Sequence, residues 1–541
     1  MRIGMAGYTA RLTGAAFAFT VAVASAPAGT AQAAPGTADA PLSITTCPAL
    51  YALGIQGTGE SSPDAAPTTD TGMLSTVFRP MLAAAPEAGL IDRAYVPYEA
   101  SFGGAVGHSV TPYSESVSGG LTRLRAMAAQ IGARCPDTRL AVVGYSQGAH
   151  VASLFAQEVG AGAGAVPADR VAAVALFSDP TRAPGAPLYP GAPQRTAPDT
   201  APGTAGTALA ALTAQIPKAP AAVAPGGGIG PERDLAADFG SLTGRVASFC
   251  VTGDLACDAP SNAPLLRAVA NLVGQVQLSG GDPIGSLTSI AEAMAYTSIK
   301  TATAVATEDI TGDTLANLSV APRTSISRRL SEASDPRTPL DLNSAYAALL
   351  RFGVIGLNAV STAVRTVLTP ASLNELATAT LADPASGLAL LSSTLAGAVA
   401  HAVPPTTGVR LVNEAYAAVT GTVADNRELL DVTTWVRYWN TTQRHGAYNT
   451  AGRDAPTHFV AAWFAAAARD AAAVAGPGTA PVGGSDAPGT GIFAPNSGAS
   501  PTSAPPGTGQ FPFGAGAAGA SAGAGVPPAA PGPTSPARTT S

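Results

Sequence analysis

The chain has 541 residues, a formal net charge of −6 and only 12% charged residues. That length exceeds one ordinary domain. The mild acidity and the lack of any long Lys/Arg run argue against nucleic-acid binding. The abundance of Ala, Gly and Pro places part of the chain outside a packed globule.

Residues 1–33 read as a secretory signal. Arg2 and Arg11 supply positive charge, Leu12 to Ala24 is mostly apolar, and Ala31-Gln32-Ala33 is a small-x-small cleavage site. The apolar run is too short to serve comfortably as a retained membrane anchor. Export places the four cysteines in an oxidising compartment, where an even count implies two disulfides. Residues 34–46 read as a flexible lead-in, and Cys47 opens the folded part. Apolar runs at Leu50–Ile55, Ala94–Tyr98, Leu140–Val143, Val171–Phe177 and Val246–Val251 predict strands. They alternate with helical patterns, chiefly Tyr113–Arg134 and Ala149–Val159. Strands and helices in alternation predict an α/β domain with a central parallel sheet, whose chemistry collects at the C-terminal strand ends.

Two stretches interrupt this alternation. Residues 183–232 are rich in Pro, Ala, Gly and Thr and read as a long surface loop. Residues 258–430 carry apolar residues at helical spacing: Leu265, Val269, Leu272, Val273 and Val276, then Tyr346, Leu350, Gly353, Leu357, Val360 and Val364. They predict a helical insertion. Its uncharged segment Ser386–Val409 reads as a buried helix rather than a membrane span, because Ser, Thr, His and Pro interrupt it. Residues 476–541 are almost wholly Gly, Pro, Ala, Ser and Thr. Such a tail buries too little apolar area to offset chain entropy, so disorder is expected, in the manner of a stalk threading a cell wall.

The chemistry gathers around Gly144-Tyr145-Ser146-Gln147-Gly148, a Gly-x-Ser-x-Gly turn between a strand and a helix. This arrangement strains the backbone, lifts the serine hydroxyl above the sheet edge and sets it at a helix N-terminus. A serine nucleophile needs a base, and the base needs an orienting acid. Asp254 is the acid candidate, because it follows a strand and lies between Cys250 and Cys257, whose pairing would pin it. Asp179, in Ser178-Asp179-Pro180, is the rival, though its context reads as a turn. Five histidines compete for the base. His150 belongs to the helix after the serine, His108 to a Gly/Ser-rich loop, His401 to the insertion, and His458 to the first turn of the last helix. His445 stands in a polar turn, where a ring reaches the serine more easily. The order Ser146, Asp254, His445 matches α/β-hydrolases.

Taken together, the pentapeptide, Cys250–Cys257 enclosing Asp254, His445-Gly446-Ala447-Tyr448, and Gly57-Thr58-Gly59-Glu60 after Cys47 resemble the cutinase family of secreted serine esterases, over about residues 44–257 and 431–472. The resemblance implies an α/β-hydrolase fold, a three-layer sandwich around the parallel sheet. It implies disulfides Cys47–Cys135 and Cys250–Cys257, and a triad of Ser146, Asp254 and His445. It also implies an oxyanion hole from the backbone N–H groups of Thr58 and Gln147, with the Thr58 hydroxyl assisting, and an ester or lipid substrate. No metal or cofactor is called for, and a monomer is expected, with cell-wall or lipid-surface association an expectation for the tail.

The sequence departs from that pattern in one large respect. About 190 residues separate Asp254 from His445, where simple cutinases have a short loop. The insertion at 258–430 therefore springs from the mouth of the site, and it is expected to form a lid or acyl-binding wall. Trp435, Tyr438 and Trp439 would set an aromatic face just before His445, which reads either as part of that wall or as a core anchor for the returning chain. Two further readings use the same residues: an acyltransferase or thioesterase of the cell envelope, and an inactive envelope-binding protein.

Overall fold

The computed structural model describes residues 42–104, 109–215, 224–278, 283–312, 318–355, 405–450 and 452–475. The expected signal, the tail at 476–541, His108, His401 and most of Ser386–Val409 lie outside the described residues. Five strands, β1 (Leu50–Ile55), β2 (Ile91–Tyr95), β3 (Arg139–Tyr145), β4 (Val171–Phe177) and β5 (Val246–Phe249), form one sheet in the order β2-β1-β3-β4-β5. Every neighbouring pair is parallel. β2 begins and ends three residues earlier than expected. Val96 still donates to the Gly54 carbonyl, but Pro97 has no N–H with which to extend the ladder.

Period-two alternation divides the core between the two faces of the sheet. On one side, Leu140 and Val142 of β3 and Val174 and Leu176 of β4 meet α2 (Tyr113–Arg134) and α3 (Gln147–Gly160). On the other side, Ala141, Val143, Ala175 and Phe177 meet α1 (Ser75–Ala84) and the final helix, Pro456–Ala475. Val460, Trp463 and Phe464 of that helix are fully buried, while Phe459 is only partly so. The result is a three-layer α/β-hydrolase sandwich. The strand order reverses between β1 and β3, so their C-terminal ends splay apart and leave a crevice at the sheet edge.

The 183–232 stretch is not simply a surface loop. It holds a helix, α4 (Thr207–Gln215), and Tyr189 is buried against the sheet-side core. The insertion contributes α5 (Pro264–Val273), a long helix Pro283–Ala304, a short antiparallel pair Ile310–Thr311 with Ser319–Val320, and helices Ile326–Ser334, Leu342–Ile355 and Pro405–Asp425. In α5 the inward residues are Ala268 and Asn271, and Val269 and Val273 point outward. The stripe predicted from apolar spacing is therefore rotated. Asn271 wins the inner face because its amide donates to Ser334 Oγ at 3.0 Å.

Candidate active site

Ser146 sits between β3 and α3 at φ 54° and ψ −121°, a conformation few side-chain-bearing residues adopt. Both flanking glycines are sterically required. A Cβ on Gly144 would lie 2.3 Å from the Gly148 carbonyl oxygen, and one on Gly148 would lie 2.0 Å from the carbonyl oxygen of Ile55 at the end of β1. The Ser146 N–H donates to Phe177 at the end of β4, which locks the turn to the sheet.

The hydroxyl of Ser146 lies 2.9 Å from His445 Nε2, and His445 Nδ1 lies 2.9 Å from Asp254 Oδ1. Burial opposes ionisation of Asp254. Bonding to His445, with its charge, and to the Ser178 and Tyr448 hydroxyls outweighs that and holds the carboxyl below its ordinary range. An ionised Asp254 can only accept, so the ring proton belongs on Nδ1 and Nε2 is free to take the serine proton.

A detour of about 190 residues returns to this point because the Asp254 loop grips the returning chain. Cys250–Cys257 closes the loop, and Cys47–Cys135 ties the lead-in to the end of α2. Asp258, fully buried, accepts from Gly226 and Gly253 N–H and pairs with Arg437, while its carbonyl accepts from the Tyr438 hydroxyl. Leu255 N–H donates to Thr441 Oγ1 at 2.9 Å, and Arg444 donates to the Thr252 carbonyl at 2.5 Å. Tyr145, inside the pentapeptide, donates its hydroxyl to the His445 carbonyl at 3.0 Å. His445 ends a one-turn helix, Thr441–His445, rather than standing in an open turn. Gly446 stops that helix, so the ring still projects from a chain end. The expected aromatic face is split. Tyr438 is buried, whereas Trp435 is 52% and Trp439 86% exposed.

The rival residues are engaged elsewhere. Asp179 accepts from the Thr181 N–H and hydroxyl, and burial raises its carboxyl to about 6. His150 is held between the Tyr113 hydroxyl and Asp234, at 3.0 Å from each. His458 is exposed at the start of the final helix. The residue of the Ser178-Asp179-Pro180 turn that reaches the site is Ser178, at φ 56°, with its Oγ 2.8 Å from His445 Nδ1. Tyr448, whose hydroxyl donates to Asp254 Oδ2 at 2.6 Å, was singled out in sequence only as part of a motif. Its three-residue spacing from His445 is the signal that marks it.

Thr58 follows β1 in a turn that Glu60 pins by accepting from Gly57 N–H at 3.0 Å and Met73 N–H at 2.9 Å. A Cβ on Gly57 would meet the Tyr145 ring at 2.8 Å, so the turn packs directly on the pentapeptide. Gln147 opens α3, so its backbone N–H has no carbonyl one turn earlier to bond. Its side chain donates to the Ser101 carbonyl at 2.8 Å.

A protein-family model described as Cutinase matches residues 46–266. A carboxylesterase Culp6 homolog of Corynebacterium glutamicum is 31% identical over 240 residues, covering 43% of this chain and 74% of that protein. The chain belongs to the cutinase family. A cutinase of Monilinia fructicola is 32% identical over 121 residues, covering 21% of this chain and 52% of that one. The catalytic core of an acetyl xylan esterase from Trichoderma reesei aligns at 20% identity and a TM-score of 0.26, over 46% of this chain and 98% of that structure.

The match to the cutinase model ends at residue 266, near the start of the insertion. Ser146 and Thr58 open onto a cavity of about 320 Å³ that the cutinase-type core and the insertion line together. Phe102, Val117, Leu121 and Leu154 form its apolar core side, and Ala270, Gly274 and residues 335–337 come from the insertion. The insertion is bonded down at this wall. Tyr113 N–H donates to the Gly274 carbonyl at 2.7 Å, and Leu278 N–H donates to the Gly103 carbonyl at 2.6 Å.

Proposed function

We propose that this cutinase-family protein is an exported serine esterase that cleaves lipid-type acyl esters through an acyl-enzyme on Ser146. The observation that carries this reading is the hydrogen-bonded line Ser146–His445–Asp254 opening onto an apolar cavity. In this mechanism His445 Nε2 takes the serine proton as Oγ attacks the ester carbonyl. The N–H groups of Thr58 and Gln147, with the Thr58 hydroxyl, stabilise the oxyanion, and losing one such donor typically costs about 3 kcal/mol of barrier. His445 then protonates the leaving alcohol, and a water activated by the same nitrogen frees the acid. Ser178 and Tyr448 hold Asp254 ionised and keep the Nδ1 proton in place.

The roofed cavity favours a discrete acyl chain over a polymer surface. We assign the hydrolase core to 44–257 with 431–475, and a wall-forming insertion to 258–430. Two disulfides and the N-terminal pattern at 1–33 support export. Mass spectrometry of secreted protein beginning at Ala34 would test that assignment. For the catalytic reading, hydrolysis of p-nitrophenyl esters and labelling by a fluorophosphonate are the measurements. Both are expected in wild type and absent in Ser146→Ala. A folded wild type that does neither overturns it.

A further inference from the structure

The cavity runs along two helices. Ser146 just before α3 and His150 and Leu154 at its successive turns line it, and Tyr113, Val117 and Leu121 do so on α2. Eight residues of helix extend about 12 Å, so the cavity leads well away from the nucleophile. The insertion lines the same cavity with a short strap, Asp335-Pro336-Arg337. The Arg337 guanidinium donates to Asp234 Oδ1 at 3.0 Å and Oδ2 at 2.7 Å, and to the two oxygens of Asp335 at 3.1 Å each. Asp234 and Asp335 are almost wholly buried, with side chains 5% and 4% exposed. Arg233 pairs with Asp335 at 2.7 Å and donates to Thr338 at 2.8 Å. Asp234 is anchored in turn by His150 Nε2 of α3 and, through its carbonyl, by Gln157. From behind, Gln275 of the α5 end donates to the Ser334 carbonyl at 2.6 Å.

One cation thus joins two buried carboxylates, one from the core and one from the insertion. Taking it away leaves Asp234 with His150 and Asp335 with Arg233, and removes the one cation that the two buried carboxylates share, which is unfavourable. We infer that Arg337 sets the acyl-length limit of the enzyme, by clamping the 335–337 strap across the cavity through Asp234 and Asp335. Chains that end beneath the strap are accepted, and longer ones meet it. Lysine would keep the charge and lose the fork that grips both carboxylates, so it clamps less well. In its kinetic form the inference rests on the esterase reading, whereas in its binding form it stands apart from it.

The test compares wild type, Arg337→Ala and Arg337→Lys on p-nitrophenyl butyrate, octanoate and palmitate. The palmitate-to-octanoate ratio of kcat/KM is expected to rise about tenfold in Arg337→Ala, mainly through KM, and by less in Arg337→Lys. A second arm works without turnover. In Ser146→Ala and in Ser146→Ala/Arg337→Ala, displacement of bound cis-parinaric acid by octanoate and by palmitate reads the cavity length directly. Tighter palmitate binding on loss of Arg337 supports the clamp even if no ester is turned over, in which case only the esterase reading fails. An unchanged ratio in a folded variant overturns the clamp, as does an equal fall for all three esters. If Arg337→Ala does not fold, Asp335→Asn/Arg337→Met, which leaves one fewer unpaired charge, is held to the same outcomes.

Discussion

Two histidine–carboxylate pairs flank Ser146, and their surroundings differ. His445, against the serine hydroxyl, pairs with Asp254, and His150 pairs with Asp234 one helical turn beyond the serine. In each, a buried carboxylate lies within 3.0 Å of a ring nitrogen. The other nitrogen makes the difference. In His445 it faces the hydroxyl of Ser146 in a strained turn, on a ring whose side chain is 30% exposed. In His150 it faces the Tyr113 phenol, on a side chain only 3% exposed, and Arg337 already satisfies the carboxylate. A ring that shuttles a proton needs a partner that leaves, and a ring whose two partners both stay put is a brace. Residue type is the same in the two pairs, and surroundings assign the work.

The sharpest way to break this comparison is at the serine. Ser146→Ala is expected to lower kcat by about 10⁵-fold or more while leaving the thermal midpoint within a few degrees, read by ester hydrolysis and melting. Asp254→Asn comes next. An amide in place of the carboxylate disfavours the tautomer that leaves Nε2 free, and a loss of about 10⁴-fold in kcat is expected. If His150→Gln cost as much as Asp254→Asn, the division into shuttle and brace would be wrong. A few-fold change is expected instead, together with a lower melting temperature. Tyr448→Phe removes a charge-assisted bond of about 1.5–3 kcal/mol to Asp254, so a fall in kcat of about tenfold is expected, with KM little changed.

The smallest effect is a pH dependence. Burial alone would raise the Asp234 carboxyl, but bonds from His150 and Arg337 prevail and lower it from 3.8 to about 2. Because the folded value lies below the unfolded one, this group stabilises the fold fully above pH ~4, and the contribution disappears as pH falls towards 2. The melting midpoint of wild type should therefore drop across that window by more than that of Asp234→Asn. Asp254 is depressed too, so Asp234→Asn should flatten the acid loss without abolishing it.

Much of this molecule was legible along the chain because its signals are local. Strand–turn–helix around Ser146 follows from a handful of neighbours, and the glycines at 144 and 148 announce contacts that any side chain would violate. Strand periodicity and the paired cysteines at 250 and 257 are likewise readable within a few residues. The misreadings share one cause. Ser178 and Tyr448 touch His445 and Asp254 through space; nothing near Ser178 distinguishes it from a turn serine, and only its spacing from His445 marks Tyr448. In α5 the apolar stripe pointed one way, but partners more than fifty residues distant rotated Asn271 inward.

The strand–turn–helix at Ser146, the candidate residues Ser146, Asp254 and His445 with their order, and a run of helical spacing between them were readable in the sequence by itself, because short-range sterics and hydrophobic period express themselves in neighbours. Tertiary structure alone decided that Asp258 anchors the returning chain, that Tyr145 anchors the histidine loop, and that Arg337 bridges core and insertion over the cavity. Each of those contacts uses a charged or hydroxyl group, at sequence separations of 103 to 300 residues. Their energy depends on burial and geometry, which the order of residues does not state.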